Sequence, residues 1–153
     1  MIRPATPADE RALRALDRAV WSTLHSPAPL PEPERPFEVE GVWVSELSDG
    51  IAGYVKVGPA LPIPAAEHVL EIKGLAVAPA ARRRGVGRAL LHAAIAAARE
   101  AGARRLTLRV LSANAPAQAL YAACGFEVEG VLREAFLLDG RYVDDVLMAL
   151  SLG

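Results

Sequence analysis

The chain has 153 residues, a length that suits one domain, 1–153, with a single well-filled core. Hydrophobic residues make up 52%, which rules against disorder over most of the chain. A formal net charge of −1 gives no basis for nucleic-acid or anionic-membrane partners. One cysteine, Cys124, excludes an internal disulfide, and beside Gly125 it reads as a small packing residue.

Met1-Ile2-Arg3-Pro4 has no apolar signal core and no run reaches transmembrane length, so the expected compartment is cytoplasmic. Residues 2–5 read as a first strand. Thr6 as N-cap, Pro7 at the first helical position and Asp9 three residues after the cap announce a helix. Leu13, Leu16, Val20 and Leu24 recur at helical spacing and carry it through Thr23 and beyond, with Arg11, Arg14 and Arg18 mostly facing solvent. Five prolines between Ser26 and Pro36 exclude a regular helix and give an extended surface loop.

Residues 39–47 and 51–57 flank Ser48-Asp49-Gly50 and predict an antiparallel hairpin. A proline-bearing loop over 58–66 and a strand over 67–77 follow. Residues 86–101 form the clearest helix: Val86, Gly87, Leu90, Leu91, Ala94, Ile95 and Ala98 share one face, and Gly102 supplies a C-cap. Leu106, Leu108 and Val110 alternate with Arg105, Thr107 and Arg109 in the next strand. Asn114-Ala115-Pro116 opens a short helix closed by Gly125. Residues 126–138 and 142–150 flank Asp139-Gly140 as a second hairpin, with Glu129-Gly130 marking a bulge or bend. This order predicts a mixed α/β (α+β) domain.

The stretch Arg82-Arg83-Arg84-Gly85-Val86-Gly87-Arg88 joins an apolar strand to the long helix. Unpaired N–H groups at a helix start can hold phosphate oxygens, and Gly85 and Gly87 lack the Cβ atoms that would keep a ligand off the backbone. The arginines add charge that does not titrate near neutrality. No Gly-Lys-Ser or Gly-Lys-Thr follows, and the third glycine of a dinucleotide fingerprint is missing, which disfavours nucleoside triphosphates and dinucleotides. His25, His68, His92 and Cys124 show no metal-ligand spacing, and no serine sits in a nucleophile elbow.

The pattern Arg82-x-x-Gly85-x-Gly87 resembles the acyl-CoA pyrophosphate loop of the GCN5-related N-acetyltransferase (GNAT) family. Asn114-x-x-Ala117-x-x-Leu120-Tyr121-x-x-Cys124-Gly125-Phe126 resembles that family's downstream motif. The resemblance covers nearly the whole chain and is specific between about Glu71 and Glu127. It implies a mainly antiparallel sheet of about seven strands with helices on both faces, and acetyl-CoA as the donor. The backbone of Leu75, Ala76 and Val77 would pair with the pantetheine arm, and an N–H near Leu75 or Ala76 would polarise the thioester carbonyl. The N–H groups from about Arg83 to Arg88 would hold the pyrophosphate. Side chains among Arg82, Arg83, Arg84 and Arg88 would reach phosphates, and Asn114 would cap its helix or touch the cofactor. Tyr121 would protonate the departing thiolate; the other reading packs its ring under the sheet with a wet hydroxyl.

An attacking amine must lose a proton, and a carboxylate can take it. Glu71 is the candidate base, with an exposed strand carboxylate as the other reading; Glu67, Glu38, Glu40 and Asp144 compete less well. The implied reaction is direct acetyl transfer to a primary amine, on a small molecule or a protein N-terminus. The alternative is a non-catalytic acyl-CoA-binding regulatory module. The last hairpin offers edge strands that could pair two copies into a homodimer.

Overall fold

The computed structural model describes residues 1–153. Its strands are β1 (Ile2–Pro4), β2 (Val42–Leu47), β3 (Gly50–Pro59), β4 (Val69–Val77), β5 (Arg105–Leu111), β6 (Glu127–Leu138) and β7 (Arg141–Ser151). They form one seven-stranded sheet in the order β1-β2-β3-β4-β5-β7-β6. Every neighbouring pair is antiparallel except β4–β5, which is parallel. Asp139 and Gly140 take φ of 52° and 75°, the left-handed pair that a tight two-residue hairpin needs. The bend foreseen at Glu129 is a register shift between Val128 and Gly130; a second shift, between Leu132 and Phe136, contains Glu134 at φ 52°.

Helix α1 (Glu10–Val20) covers one face of the sheet, where Leu13 and Leu16 are buried with Val42, Val44, Tyr54 and Ala76. A 3-10 turn, Pro7–Asp9, leads into it, and Asp9 Oδ2 accepts the Thr6 N–H at 2.8 Å. The helix stops at Val20, short of the expected Thr23. Trp21 turns extended (φ −60°, ψ 137°) and its indole N–H donates to Ala28 O at 3.0 Å, tying down the proline-rich loop. Leu24, expected on the buried stripe, is exposed as a result. Arg14 and Arg18 are half-buried: Arg14 pairs with Glu10 at 3.6 Å and Arg18 donates to the Pro31 carbonyl.

Helices α2 (Val86–Glu100) and α3 (Ala115–Ala123) cover the opposite face. The periodicity of α2 is realised: Val86, Leu90, Leu91, Ala94, Ile95 and Ala98 are all buried. A Cβ on Gly53 would stand 2.7 Å from Ala76 O and 3.1 Å from Leu90, so this glycine lets α2 lie close on the sheet. The helix ends with Gly102 N–H on Arg99 O and Ala103 N–H on Ala98 O, the paired bonds of a glycine-terminated helix. Fully buried Leu90 and Leu91 anchor this layer, and truncating either to alanine would cost about 2–5 kcal/mol. No helix is long and apolar enough to cross a membrane.

One irregularity positions the site. Lys56 pairs with Gly74 but Val57 pairs with Ile72, so Lys73 has no partner on β3 and forms a bulge in β4. A bulged strand bends and twists more than its neighbour. β4 pairs with β5 only through Val69, Leu70 and Glu71, although both strands continue. From Ile72 to Val77 the β4 edge that faces β5 is therefore unpaired.

Candidate functional site

The unpaired β4 edge runs into the arginine–glycine turn. Arg83 (φ 63°) and Gly85 (φ 78°) both take left-handed backbone, reversing the chain sharply enough for α2 to begin at Val86. The N–H groups of Arg83, Arg84, Gly85, Val86, Gly87 and Arg88 donate to no acceptor in the chain; Ala89 is the first to bond, to Gly85 O at 3.0 Å. Six free donors at the positive end of a fifteen-residue helix make an anion cradle. Arg82, Arg83, Arg84 and Arg88 are exposed around it, and none of the chain's ion pairs uses them. The two glycines differ in purpose. Around Gly85 there is open space, whereas a Cβ on Gly87 would press on Leu120 Cδ2 at 3.2 Å.

On β4, Leu75 and Val77 pack toward α2 while Ala76 is buried on the α1 side. Across the gap, α3 begins at Asn114, which is buried and whose Oδ1 accepts the Ala117 N–H at 3.3 Å. The cap reading of Asn114 is thus realised. Tyr121 is 8% exposed and meets Phe126 edge-on, with ring centroids 6.0 Å apart. Burial pushes its hydroxyl up to about 12, so it holds its proton at neutral pH.

Glu71 lies on the last rung before β4 and β5 separate, opposite Thr107. Its carboxylate is held by the Lys73 ammonium at 2.8 Å. Of its weaker competitors, Glu38 pairs with Lys56 at 3.9 Å and Asp144 accepts the Glu134 N–H at 2.8 Å.

A cavity of about 700 Å³ opens on the α1 face, floored by Lys73, Gly74, Leu75 and Ala76 and walled by α1 and the loop after it. Tyr54, 6% exposed, donates its hydroxyl to Asp17 Oδ1 at 2.6 Å in this cavity. Burial, reinforced by the bond to Asp17, holds the Tyr54 phenol far above its ordinary value. His25, also in the wall, is kept below its usual range by burial and by the nearby Arg82 charge. The loop that closes the cavity thus lies within electrostatic reach of the arginine turn.

Sequence reasoning passed over Asp17 and Tyr54. A signal was present, because Asp17 falls between Leu13 and Val20 on the apolar stripe of α1, where an uncompensated carboxylate is costly. The bulge had a signal too: apolar residues at 70 and 72 resume at 75 and 77, which breaks the two-residue alternation.

Residues 11–126 match the acetyltransferase (GNAT) family. Over 106 residues the chain is 37% identical to a phosphinothricin N-acetyltransferase of Alcaligenes faecalis, covering 69% of this chain and 53% of that protein. It therefore spans about half the length of that curated relative. Among solved structures it is similar to a ribosomal-protein-alanine N-acetyltransferase of Brucella melitensis, at 32% identity and TM-score 0.85 over 99% of both chains. It is also similar to the yncA protein of Salmonella typhimurium, solved with its cofactor acetyl-CoA, at 26% identity and TM-score 0.87 over 100% of this chain and 94% of that one. With three quarters of its length inside the family match, and with the split β4–β5 edge and free-amide turn, the chain belongs to the acetyltransferase (GNAT) family.

Proposed function

We propose that this single domain is an acetyl-CoA-dependent N-acetyltransferase that passes the acetyl group directly to a primary amine. One observation carries the reading: an unpaired strand edge, Ile72 to Val77, is followed, after the 3-10 turn Pro79–Ala81, by six free N–H groups ringed by four uncommitted arginines. An extended pantetheine arm matches the first as an added strand, and a pyrophosphate matches the second. Acetyl-CoA would supply an activated thioester and a thiolate leaving group. Arg82 to Arg88 hold the phosphates, and Leu75, Ala76 and Val77 align the arm. An N–H of Leu75 or Ala76 steadies the developing oxyanion, and Asn114 sets the start of α3. Tyr121, protonated at neutral pH, gives its proton to the sulfur.

The acceptor end supports a small-molecule amine ahead of a protein N-terminus. A cavity of about 700 Å³ fits the size range of small-ligand sites, and its loop wall is pinned by Trp21 on Ala28 and by the Phe37 N–H on Glu10 at 2.9 Å. The A. faecalis relative is named for a small amine, whereas the B. melitensis neighbour is named for a protein acceptor, so both classes belong in the assay. Titration calorimetry with acetyl-CoA comes first, followed by thiol release with phosphinothricin, tyramine and an alanine-initiated tripeptide. Thiol release from at least one amine is the expected result. Binding with no release from any amine supports the non-catalytic alternative, and no binding sinks both.

A further inference from the structure

We propose that Asp17, positioned by Tyr54, receives the acceptor's ammonium group and takes the proton that its nitrogen loses on attack. The proposal rests on the acetyltransferase reading and adds to it a residue on α1.

Of the two carboxylates that line the cavity, Asp17 and Glu38, only Asp17 is without a cation. Glu38 is matched by Lys56 and Glu71 by Lys73, while Asp17 has no cation within ion-pair distance. Its only side-chain partner is the Tyr54 hydroxyl, which occupies Oδ1 and leaves Oδ2 open to the cavity. A half-buried carboxylate that a phenol orients and no cation pairs invites a cation.

Position supports the same conclusion. Tyr54 is the β3 partner of Ala76, and its hydroxyl lies 3.3 Å from where a Cβ of Gly74 would be. A side chain at residue 74 would crowd that hydroxyl; glycine leaves the space open. The Asp17–Tyr54 pair therefore stands over the stretch of β4 where the thioester carbonyl is expected, on the side from which an acceptor enters. Phe37 packs edge-on against Tyr54 at 5.1 Å and fixes its ring.

The remaining charged groups are mostly cationic. Arg14 faces the cavity from α1, Lys56 from β3 and Lys73 from β4; the loop adds Arg35, Glu38 and His25. Arg14, Lys56 and Lys73 each have their own carboxylate partner. Among so many positive charges, Asp17 is the feature that makes the cavity hospitable to an ammonium ion.

The bound ammonium releases one proton to solvent, and the amine lone pair forms the C–N bond at the acetyl carbon. The second N–H proton passes to Asp17 Oδ2. The C–S bond then breaks and the sulfur takes the Tyr121 proton, giving amide and free thiol. Water returns the Asp17 proton to the Tyr121 phenolate.

Asp17→Asn keeps the shape and an acceptor for Tyr54. It should lower kcat about 100-fold and remove the acid limb of the kcat/KM profile, while acetyl-CoA affinity by calorimetry stays within about twofold. Phosphinothricin or tyramine, whichever is turned over, should bind the coenzyme A complex at least about tenfold more weakly. Tyr54→Phe should raise KM for the amine at least about tenfold while acetyl-CoA affinity stays within about twofold, because Asp17 loses the donor that orients it. An Asp17→Asn protein with unchanged turnover and amine binding overturns the assignment, as does an acid limb that vanishes in Glu71→Gln and persists in Asp17→Asn. A wild-type protein that binds no acetyl-CoA would instead defeat the acetyltransferase reading, and Asp17's role with it.

Discussion

Leu120 on α3 lies against Gly87 in the first turn of α2, so close that a Cβ on the glycine would stand 3.2 Å from Leu120 Cδ2. The arginine–glycine turn and the helix that carries Tyr121 are thereby in direct contact. Gly87→Ala must push Leu120 by a few tenths of an ångström and its neighbour Tyr121 with it. The expected cost is about 1 kcal/mol of stability from overpacking, with weaker acetyl-CoA binding. Gly85→Ala meets open space, and its cost of about 1–2 kcal/mol comes from holding a side chain at φ 78°. Denaturant midpoints and acetyl-CoA titrations on both variants separate the two effects. If Gly87→Ala binds like the wild type, the turn and α3 are not coupled.

Tyr121 sits at about 12 because it is buried, so it remains a proton donor across the usable pH range. Turnover should show no alkaline loss from this group below about pH 11. Tyr121→Phe should reduce kcat by about 100-fold while leaving the acetyl-CoA dissociation constant within about twofold. Steady-state rates beside calorimetry decide this, and unaltered turnover removes the tyrosine from the chemistry.

Arg82, Arg83, Arg84 and Arg88 have no carboxylate partners to lose when a phosphate arrives. Exposed charge contacts are worth about 0.2–1 kcal/mol each and are screened by salt. Acetyl-CoA affinity should therefore fall between about 50 mM and about 500 mM salt. Substituting both Arg82 and Arg84 by alanine should cost about tenfold in affinity and flatten the salt slope. An equal slope in the double variant would assign the screening to other groups.

At the other end of the sheet, Arg3 grips Asp9 through two hydrogen bonds of 2.8 and 2.9 Å. This grip, with help from the Thr6 N–H, lowers the Asp9 carboxyl from 3.8 to about 2. A depressed carboxyl contributes its stability above its unfolded value and loses it as pH falls toward the folded one. Thermal midpoints should thus decline between about pH 4 and about pH 2, and Asp9→Asn should shrink that decline. At neutral pH the same variant should cost about 1.5–3 kcal/mol, the worth of a hydrogen bond to a charged group.

The elements themselves were readable because this chain keeps its local signals consistent. Proline and glycine punctuate the loops, the α2 stripe is unbroken, and Asp139-Gly140 makes the turn its residues require. The free-amide turn was readable for a related reason: backbone amides at a helix start follow from where the helix begins. The cavity on the α1 face was not. Asp17 and Tyr54 are 37 residues apart and meet because α1 packs across β3, and α1 ends at Val20, where Trp21 turns extended and bonds to Ala28 O, a contact that no periodicity contains. Glu71 was visible as a carboxylate on the right strand, but its Lys73 partner two residues on was not, since regular alternation would place both on one face without specifying a bond.

Lys73 makes β4 one residue longer than its β3 partner needs. Its deletion would leave every existing β3–β4 pair matched, residue for residue, and would give the strand a regular pleat. A straighter β4 would zip further along β5, and the slot between them would narrow. Most point changes along β4 alter what lines that slot; this change in length would alter its width. The open β4–β5 slot thus accompanies a mismatch in residue count between two adjacent strands, and insertions and deletions in residues 71–75 should disturb it more than substitutions there.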